Sequence, residues 1–249
     1  MSAFTLLTLN MHRGMGAFSR TSVLSQLRTA IRTVQADVVC LQEVDGGAAP
    51  AGPVRADRPD PDYEFMADSM WPQFAYGRNA VFPAGHMGNA VLSKFPIVSQ
   101  HNHDVSVAQS EKRGILWCEI QLPHSAGKVH VVSVHLGLLA SHRQLQLETL
   151  CTLIGSGSLA QDAALIVAGD FNDWRRQADR TLQRCGLVEA FVAAHGRHAN
   201  TFPARLPCFP LDRIYTRNVR VDDVQVLRGR PWSHLSDHLP LRVRVTLPA

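Results

Sequence analysis

A run of five aliphatic residues, Ala164-Leu165-Ile166-Val167-Ala168, stops at Gly169 and releases Asp170, Phe171, Asn172 and Asp173 in succession. An apolar run of that length, closed by turn residues, predicts a buried core strand. In sheets with crossover helices, ligands gather beyond the carboxyl ends of such strands. Gly169 lets the backbone turn sharply at that point. The polar residues also read as turn formers, with Asp173 capping a helix that Trp174 begins. What favours a site is that the same arrangement recurs along the chain.

Phe4 to Leu9 is a strand-like run that ends in Asn10-Met11-His12-Arg13-Gly14. Val23, Leu24, Leu27, Ala30, Ile31 and Val34 then repeat at helical spacing, with Arg28 and Arg32 on the opposite face. Val38 to Glu43 is a second buried strand. Strand, helix, strand with parallel pairing brings Asn10 and Glu43 to one edge. The unit appears again later. Val129 to Val134 ends at His135, the pattern Ser141-His142-Arg143-Gln144 suits a capping box opening a helix through Ile154, and the Asp170 strand follows. The chain thus reads as two related halves.

The remaining segments are supporting elements. Gly88 to Ile97, Arg113 to Leu122 and Val129 to Val134 have no helix between them and are expected to be antiparallel neighbours. Asp45 to Pro61 is rich in Gly, Ala, Pro and Asp, a surface loop that could cover a substrate. The aromatics Tyr63, Phe65, Trp71, Phe74 and Tyr76 suit core packing. A short helix is expected from Trp174 to Arg184, ended by Gly186. Asp212 lies in the strand start Leu211 to Tyr215, and Val219 to Leu227 forms another strand. Asp237 and His238 sit side by side just ahead of a closing strand carrying Leu241, Val243, Val245 and Leu247.

With 249 residues, 45% of them hydrophobic, the chain can build one large core, and a single domain over 1–249 is expected. No apolar run is long enough to span a bilayer, and the opening Met1-Ser2-Ala3-Phe4-Thr5 lacks the features of a secretory signal, so a cytoplasmic location is expected. Five cysteines without a Cys-x-x-Cys pair read as reduced thiols, not as a disulfide or zinc framework. The net charge of +4 tolerates an anionic substrate without requiring nucleic acid. No basic amphipathic helix points to a membrane surface. Glu43 and Asp237 are hard oxygen donors suited to magnesium or manganese, whereas zinc would want more nitrogen or sulfur. An imidazole oriented by a second carboxylate beside such an ion makes a general base.

The motifs Thr8-Leu9-Asn10, Leu41-Gln42-Glu43, Gly88-Asn89-Ala90-Val91-Leu92-Ser93, Val134-His135-Leu136, Gly169-Asp170-Phe171-Asn172, Leu211-Asp212-Arg213-Ile214 and Ser236-Asp237-His238-Leu239-Pro240 occur in that order. Together they resemble the metal-dependent endonuclease/exonuclease/phosphatase superfamily, which includes DNase I, apurinic-site endonucleases and sphingomyelinases, and more closely its small bacterial members. The resemblance implies an α/β four-layer sandwich of two stacked mixed β-sheets flanked by helices, with one site at the mouth between the halves. It implies Glu43 as principal ligand of Mg2+ or Mn2+, with Asn10 and Asp237 near the ion directly or through water. His238, paired with Asp212, would deprotonate the attacking water or donate to the phosphoryl oxygen, and Asp170 is the rival base. Asn172 would hold a non-bridging oxygen or the nucleophile, while His135 and Arg113 would contact the phosphate.

The expected activity is hydrolysis of a phosphodiester. Val44-Asp45 after Glu43 departs from the apurinic-site endonuclease pattern, and His135, where those enzymes use tyrosine, resembles DNase I and the sphingomyelinase-like branch, leaving nucleic acid and phospholipid headgroups as substrate classes. The alternatives are a phosphomonoesterase acting on a sugar or inositol phosphate, and a non-catalytic binding protein on the same fold. No protein partner is implied.

Overall fold

Adjacent residues Leu6 and Leu7 are both fully buried, which a strand permits only when both of its faces are covered. The same holds for Val38 to Leu41 and for Leu165 to Ala168. These runs form the centres of two sheets in the computed structural model, which describes residues 2–17, 22–47, 61–83, 85–123, 127–157 and 159–248. In the first part of the chain β1 (Ala3–Asn10), α1 (Leu24–Val34), β2 (Val38–Asp45), α2 (Asp62–Ala67), β3 (Gln73–Phe82) and β4 (Gly85–Ser93) follow one another. Next come β5 (Ile97–Asp104), β6 (Gly114–Gln121), β7 (Lys128–His135), α3 (Ala140–Gly155) and β8 (Ala164–Asp170). The last part holds α4 (Ala178–Gln183), β9 (Val188–Glu189), α5 (Ala190–His195), β10 (Asp212–Arg217), β11 (Arg220–Val226), α6 (Trp232–Leu235) and β12 (Leu241–Thr246).

Each sheet has six strands, ordered β11-β12-β1-β2-β4-β3 and β5-β6-β7-β8-β10-β9. Among the described residues, only β1 with β2 and β7 with β8 pair in parallel, the two strand-helix-strand units, and the other strand pairings are antiparallel. Side-chain alternation sorts the apolar residues into three layers. Leu6, Val38 and Cys40 meet Cys118, Val131, Ile166 and Ile214 between the sheets. Leu7, Leu9, Val39 and Leu41 face outward onto Leu27 and Ile31 of α1 and onto Trp71. Val132, Val134, Leu165 and Val167 face Leu147, Leu150 and Ile154 of α3. The result is helix, sheet, sheet, helix, and each fully buried leucine contributes roughly 1.5–3 kcal/mol.

Several expectations need correction. Gly88 to Ile97 is not a neighbour of β6: β4 pairs with β2 and β3 in the first sheet, and the chain crosses at Lys94-Phe95-Pro96 so that β5 becomes the partner of β6. The polar and half-exposed strands β3 and β5 escaped the apolar pattern because each lies at a sheet edge. Ser141 does not cap α3, whose N-cap is Leu139 without a side-chain cap. The helix expected from Trp174 begins only at Ala178 with Gln177 as its N-cap, and Asp173 Oδ2, reaching across the intervening turn, accepts from the Ala178 N–H at 2.8 Å. Cys151 and Cys185, expected as free thiols, form a disulfide because α3 and the end of α4 pack side by side. The loop from Asp45 to Pro61, expected to cover a substrate, lies mostly outside the described residues.

Gly169 takes φ 145° next to Val134 on β7, and a Cβ there would collide with the Val134 carbonyl oxygen. Gly169→Ala is therefore expected to lower unfolding free energy in urea by about 2–4 kcal/mol. A variant as stable as the parent would mean that the β7–β8 ladder yields at this point.

Candidate active site

The two parallel pairs end at the same edge, and what they deliver there is polar. Asn10 closes β1, His135 closes β7, Asp170 closes β8, and Asp212 opens β10 directly opposite Asp170 in register. Glu43 arrives differently from expectation. It does not end its strand, because β2 continues to Asp45, and Gln42 and Glu43 bulge opposite Asn89 of β4. Glu43 adopts φ 55° in that bulge. A bulge re-aims one side chain at the cost of regular pairing, and a left-handed non-glycine residue costs about 1–2 kcal/mol. Asn172, just beyond β8, also takes a positive φ of 51°.

Buried hydrogen bonds join the sheets just behind this edge. Gln42 Nε2 donates to Ser133 Oγ at 3.1 Å, and Asn89 Nδ2 donates to the carbonyls of Gly114 and Ser133. In front of them, Asn10 Nδ2 donates to Asp170 Oδ2 at 3.0 Å and to Glu43 Oε1 at 3.3 Å. Asn10 therefore bridges carboxylates from both sheets, and its own Oδ1 accepts from the His12 N–H. Ser236 Oγ donates to the Asn10 carbonyl at 2.7 Å, which seats Asp237 and His238 beside it.

His238 Nδ1 bonds Asp212 Oδ2 at 2.8 Å, and its Nε2 lies 3.8 Å from Asp170 Oδ2. Burial opposes charge on this imidazole, but Asp212 and Asp170 outweigh it and push its pKa up to about 10. His135 Nε2 lies 3.6 Å from the same Asp170 oxygen. There burial dominates, with Arg113 and His238 adding repulsion, and the pKa falls to about 4. Burial raises the Asp170 carboxyl, opposed by the neighbouring imidazoles. The site thus holds a charged histidine and a neutral one around a single carboxylate at neutral pH.

Asn172 donates from Nδ2 to the Leu136 carbonyl at 2.9 Å, and its backbone N–H donates to Asp170 Oδ1. Arg113 lies at the other flank of the cleft, which Glu43, Asn89 and His135 also line. Its Nε donates to the Leu136 carbonyl, and its Nη2 pairs with Glu111 at 3.2 Å. Asp237 stands at the rim, with Oδ1 3.9 Å from His12 Nδ1.

Two sets of groups could hold a metal. Glu43, Asn10 and Asp237 offer oxygen donors of the kind that magnesium or manganese accepts. Asp170, Asp212 and His238 have ligand atoms within 4.8 Å of one another, and Asp212 Oδ1 is buried without a hydrogen-bond partner. In that second set His238 Nδ1 is engaged by Asp212, so Nε2 is the ring nitrogen left to face an ion.

Sequence reasoning missed four supporting groups. Ser236 and Thr201 tie the backbone of the site, Thr201 Oγ1 accepting from the Asp212 N–H. Phe202 packs against the His238 ring at 5.0 Å, and Glu111 fixes Arg113. Ser236 stood within a recognised motif; the other three lie on loops with no periodic signal. Behind the site, buried Arg213 donates to the Asp173 carbonyl and to Tyr215 Oη, anchoring the loop that carries Asn172.

Imidazole NMR of the metal-free protein should show His135 titrating near pH 4 and His238 near pH 10. Unfolded histidine titrates near 6.5. Folded His238 keeps its proton longer, so its contribution to stability is full below about pH 6.5 and is lost as pH rises through about 10. His135 has the opposite sign: acidification from about 6.5 through 4 favours the unfolded chain. Two midpoints converging near 6.5 would contradict this division.

The chain matches the family model described as "Endonuclease/Exonuclease/phosphatase family" over residues 7–238. It is 50% identical over 248 residues to "Uncharacterized protein YbhP" of Escherichia coli strain K12, covering 98% of this chain and 97% of that one. Among solved structures it resembles an endonuclease/exonuclease/phosphatase of Beutenbergia cavernae, with TM-score 0.78 and 18% identity over 99% of this chain and 72% of that one. A mannosyl-6-phosphatase of Bacteroides thetaiotaomicron shares the fold at TM-score 0.70 and 16% identity, over 98% of this chain and all of that one.

Proposed function

The chain belongs to the endonuclease/exonuclease/phosphatase family, phosphate-ester hydrolases by type, and on that premise we propose that it is a magnesium- or manganese-dependent phosphodiesterase. The observation that carries this reading is Asn10, hydrogen-bonded at once to Glu43 and Asp170. It sets an oxygen-donor group for a metal beside a buried carboxylate with two histidines. Glu43, with Asp237 and the Asn10 amide nearby, would hold the ion, which supplies positive charge to the phosphoryl oxygens when bound.

The protein's own groups divide the remaining work. His238, cationic at neutral pH, stabilises negative charge on the phosphoryl oxygen by hydrogen bonding from Nε2, and the departing alkoxide takes its proton from solvent. Asp212 fixes the ring through Nδ1 and keeps it charged. Asp170, its carboxyl raised by burial, accepts a proton from the attacking water. Neutral His135 and the Asn172 amide orient the phosphate or the water, and Arg113 adds charge at the far flank. Arg113 is already partly neutralised by Glu111, which suits a singly charged diester better than a doubly charged monoester. Nucleic acid and phospholipid headgroups both present such a diester.

Hydrolysis of bis-p-nitrophenyl phosphate should require magnesium or manganese, stop with chelator, and exceed hydrolysis of p-nitrophenyl phosphate. The reverse preference would favour the monoesterase. His238→Ala should lower kcat by about 10²–10⁴. Glu43→Gly separates function from folding: relief of φ 55° should leave stability unchanged or higher by about 1 kcal/mol, while metal-dependent turnover is lost. Full turnover in the glycine variant would sink the metal assignment.

A further inference from the structure

Among the described residues, the four most exposed large apolar side chains all lie at the edge where the site opens. Leu206, Val81, Leu138 and Leu139 are 77%, 65%, 60% and 58% exposed, and Phe82 and Trp174 are close to half exposed. Val81 and Phe82 end β3 at the tip of the β3–β4 hairpin, which projects past the carboxyl end of β2. Leu138 and Leu139 follow His135, Trp174 follows Asp173, and Leu206 lies in the loop that leads into Asp212. All four loops leave the sheets at the edge that carries Asn10, Glu43 and Asp170.

Basic side chains are interleaved with these tips. The Arg13 guanidinium lies 5.9 Å from the Phe82 ring centroid, exposed Arg175 and Arg176 directly follow Trp174, and exposed Arg205 directly precedes Leu206. Apolar tips with arginines beside them match the headgroup layer of a bilayer, where the tip enters the acyl boundary and the guanidinium stays with phosphate. We propose that this rim docks the protein on an anionic phospholipid bilayer with the cleft facing the headgroups.

Two other occupants fit less well. Single-stranded nucleic acid stacks on aromatic faces, but the four most exposed apolar side chains of the rim are aliphatic. A second copy of the chain would bring the same arginines face to face. The loops supply the docking surface without the amphipathic helix that peripheral proteins often use. The proposal deepens the phosphodiesterase reading by naming a bilayer phosphodiester as substrate and rests on that reading for the chemistry, whereas the docking itself requires no turnover.

The test is co-sedimentation of the full chain with sucrose-loaded phosphatidylglycerol/phosphatidylcholine vesicles, beside phosphatidylcholine vesicles and a single-stranded oligonucleotide in the same salt. The protein should bind the anionic vesicles preferentially, with a blue shift of tryptophan emission that Trp174→Phe removes. Leu138→Asp with Leu139→Asp should weaken partitioning about tenfold, and Leu206→Asp on a separate loop should weaken it several-fold. Circular dichroism melts show that each variant is folded. Protein left in the supernatant, variants that sediment like the parent, or tighter binding to the oligonucleotide would overturn the proposal. Parallel assay of bis-p-nitrophenyl phosphate separates the two ideas. Docking without hydrolysis refutes the phosphodiesterase alone; hydrolysis without docking refutes the bilayer surface alone.

Discussion

A buried hydrogen bond between residues 160 positions apart, from Asn10 on one sheet to Asp170 on the other, is the contact on which the site depends. The sandwich is held by apolar packing, which is not directional and would tolerate small slides of one sheet over the other. Polar bridges at the mouth remove that freedom. Gln42 to Ser133 and Asn89 to Ser133 and Gly114 lie one step inside the edge, and Asn10 completes the series at the edge itself. Each buried amide would be costly without its partner, so the sheets are registered where the chemistry needs them to be.

Strain and charge are gathered at the same place. Glu43 and Asn172 both take positive φ, each beside a carboxylate or amide of the site. The ordinary strands around them supply the stability that offsets this cost. Asp170 lies beside two histidines whose pKa values shift in opposite directions: burial disfavours charge on both, and only His238 has a second carboxylate to overcome it. His238 has Asp212 at 2.8 Å, whereas His135 has Arg113 among its neighbours. One imidazole is thereby kept charged and the other neutral within a few ångströms.

The buried strands were legible because Phe4 to Leu9 is largely apolar, Val38 to Leu41 and Ala164 to Ala168 are apolar on both faces, and each is followed closely by a polar side chain. The two strand-helix-strand units followed from the same pattern. The edge strands β3 and β5 were not legible, since half of each faces solvent and its sequence looks like loop. For the same reason Gly88 to Ile97 was assigned to the wrong neighbours: antiparallel succession along the chain does not reveal where it changes sheet. The disulfide between Cys151 and Cys185 depends on the packing of two helices, which spacing in sequence does not encode.

Local order alone determined which side chains the central strands release, because an apolar run that ends in Asn10, His135 or Asp170 has one place to put them. The tertiary structure decided what those groups do to one another. The bulge that aims Glu43, the opposite shifts of His135 and His238, and the supports from Ser236, Phe202 and Glu111 all arise between segments far apart in the chain. The gathering of Val81, Leu138, Trp174 and Leu206 on one rim is of the same kind. Periodicity records which face of a strand is buried, but distance, burial and charge between segments exist only once the sheets have stacked.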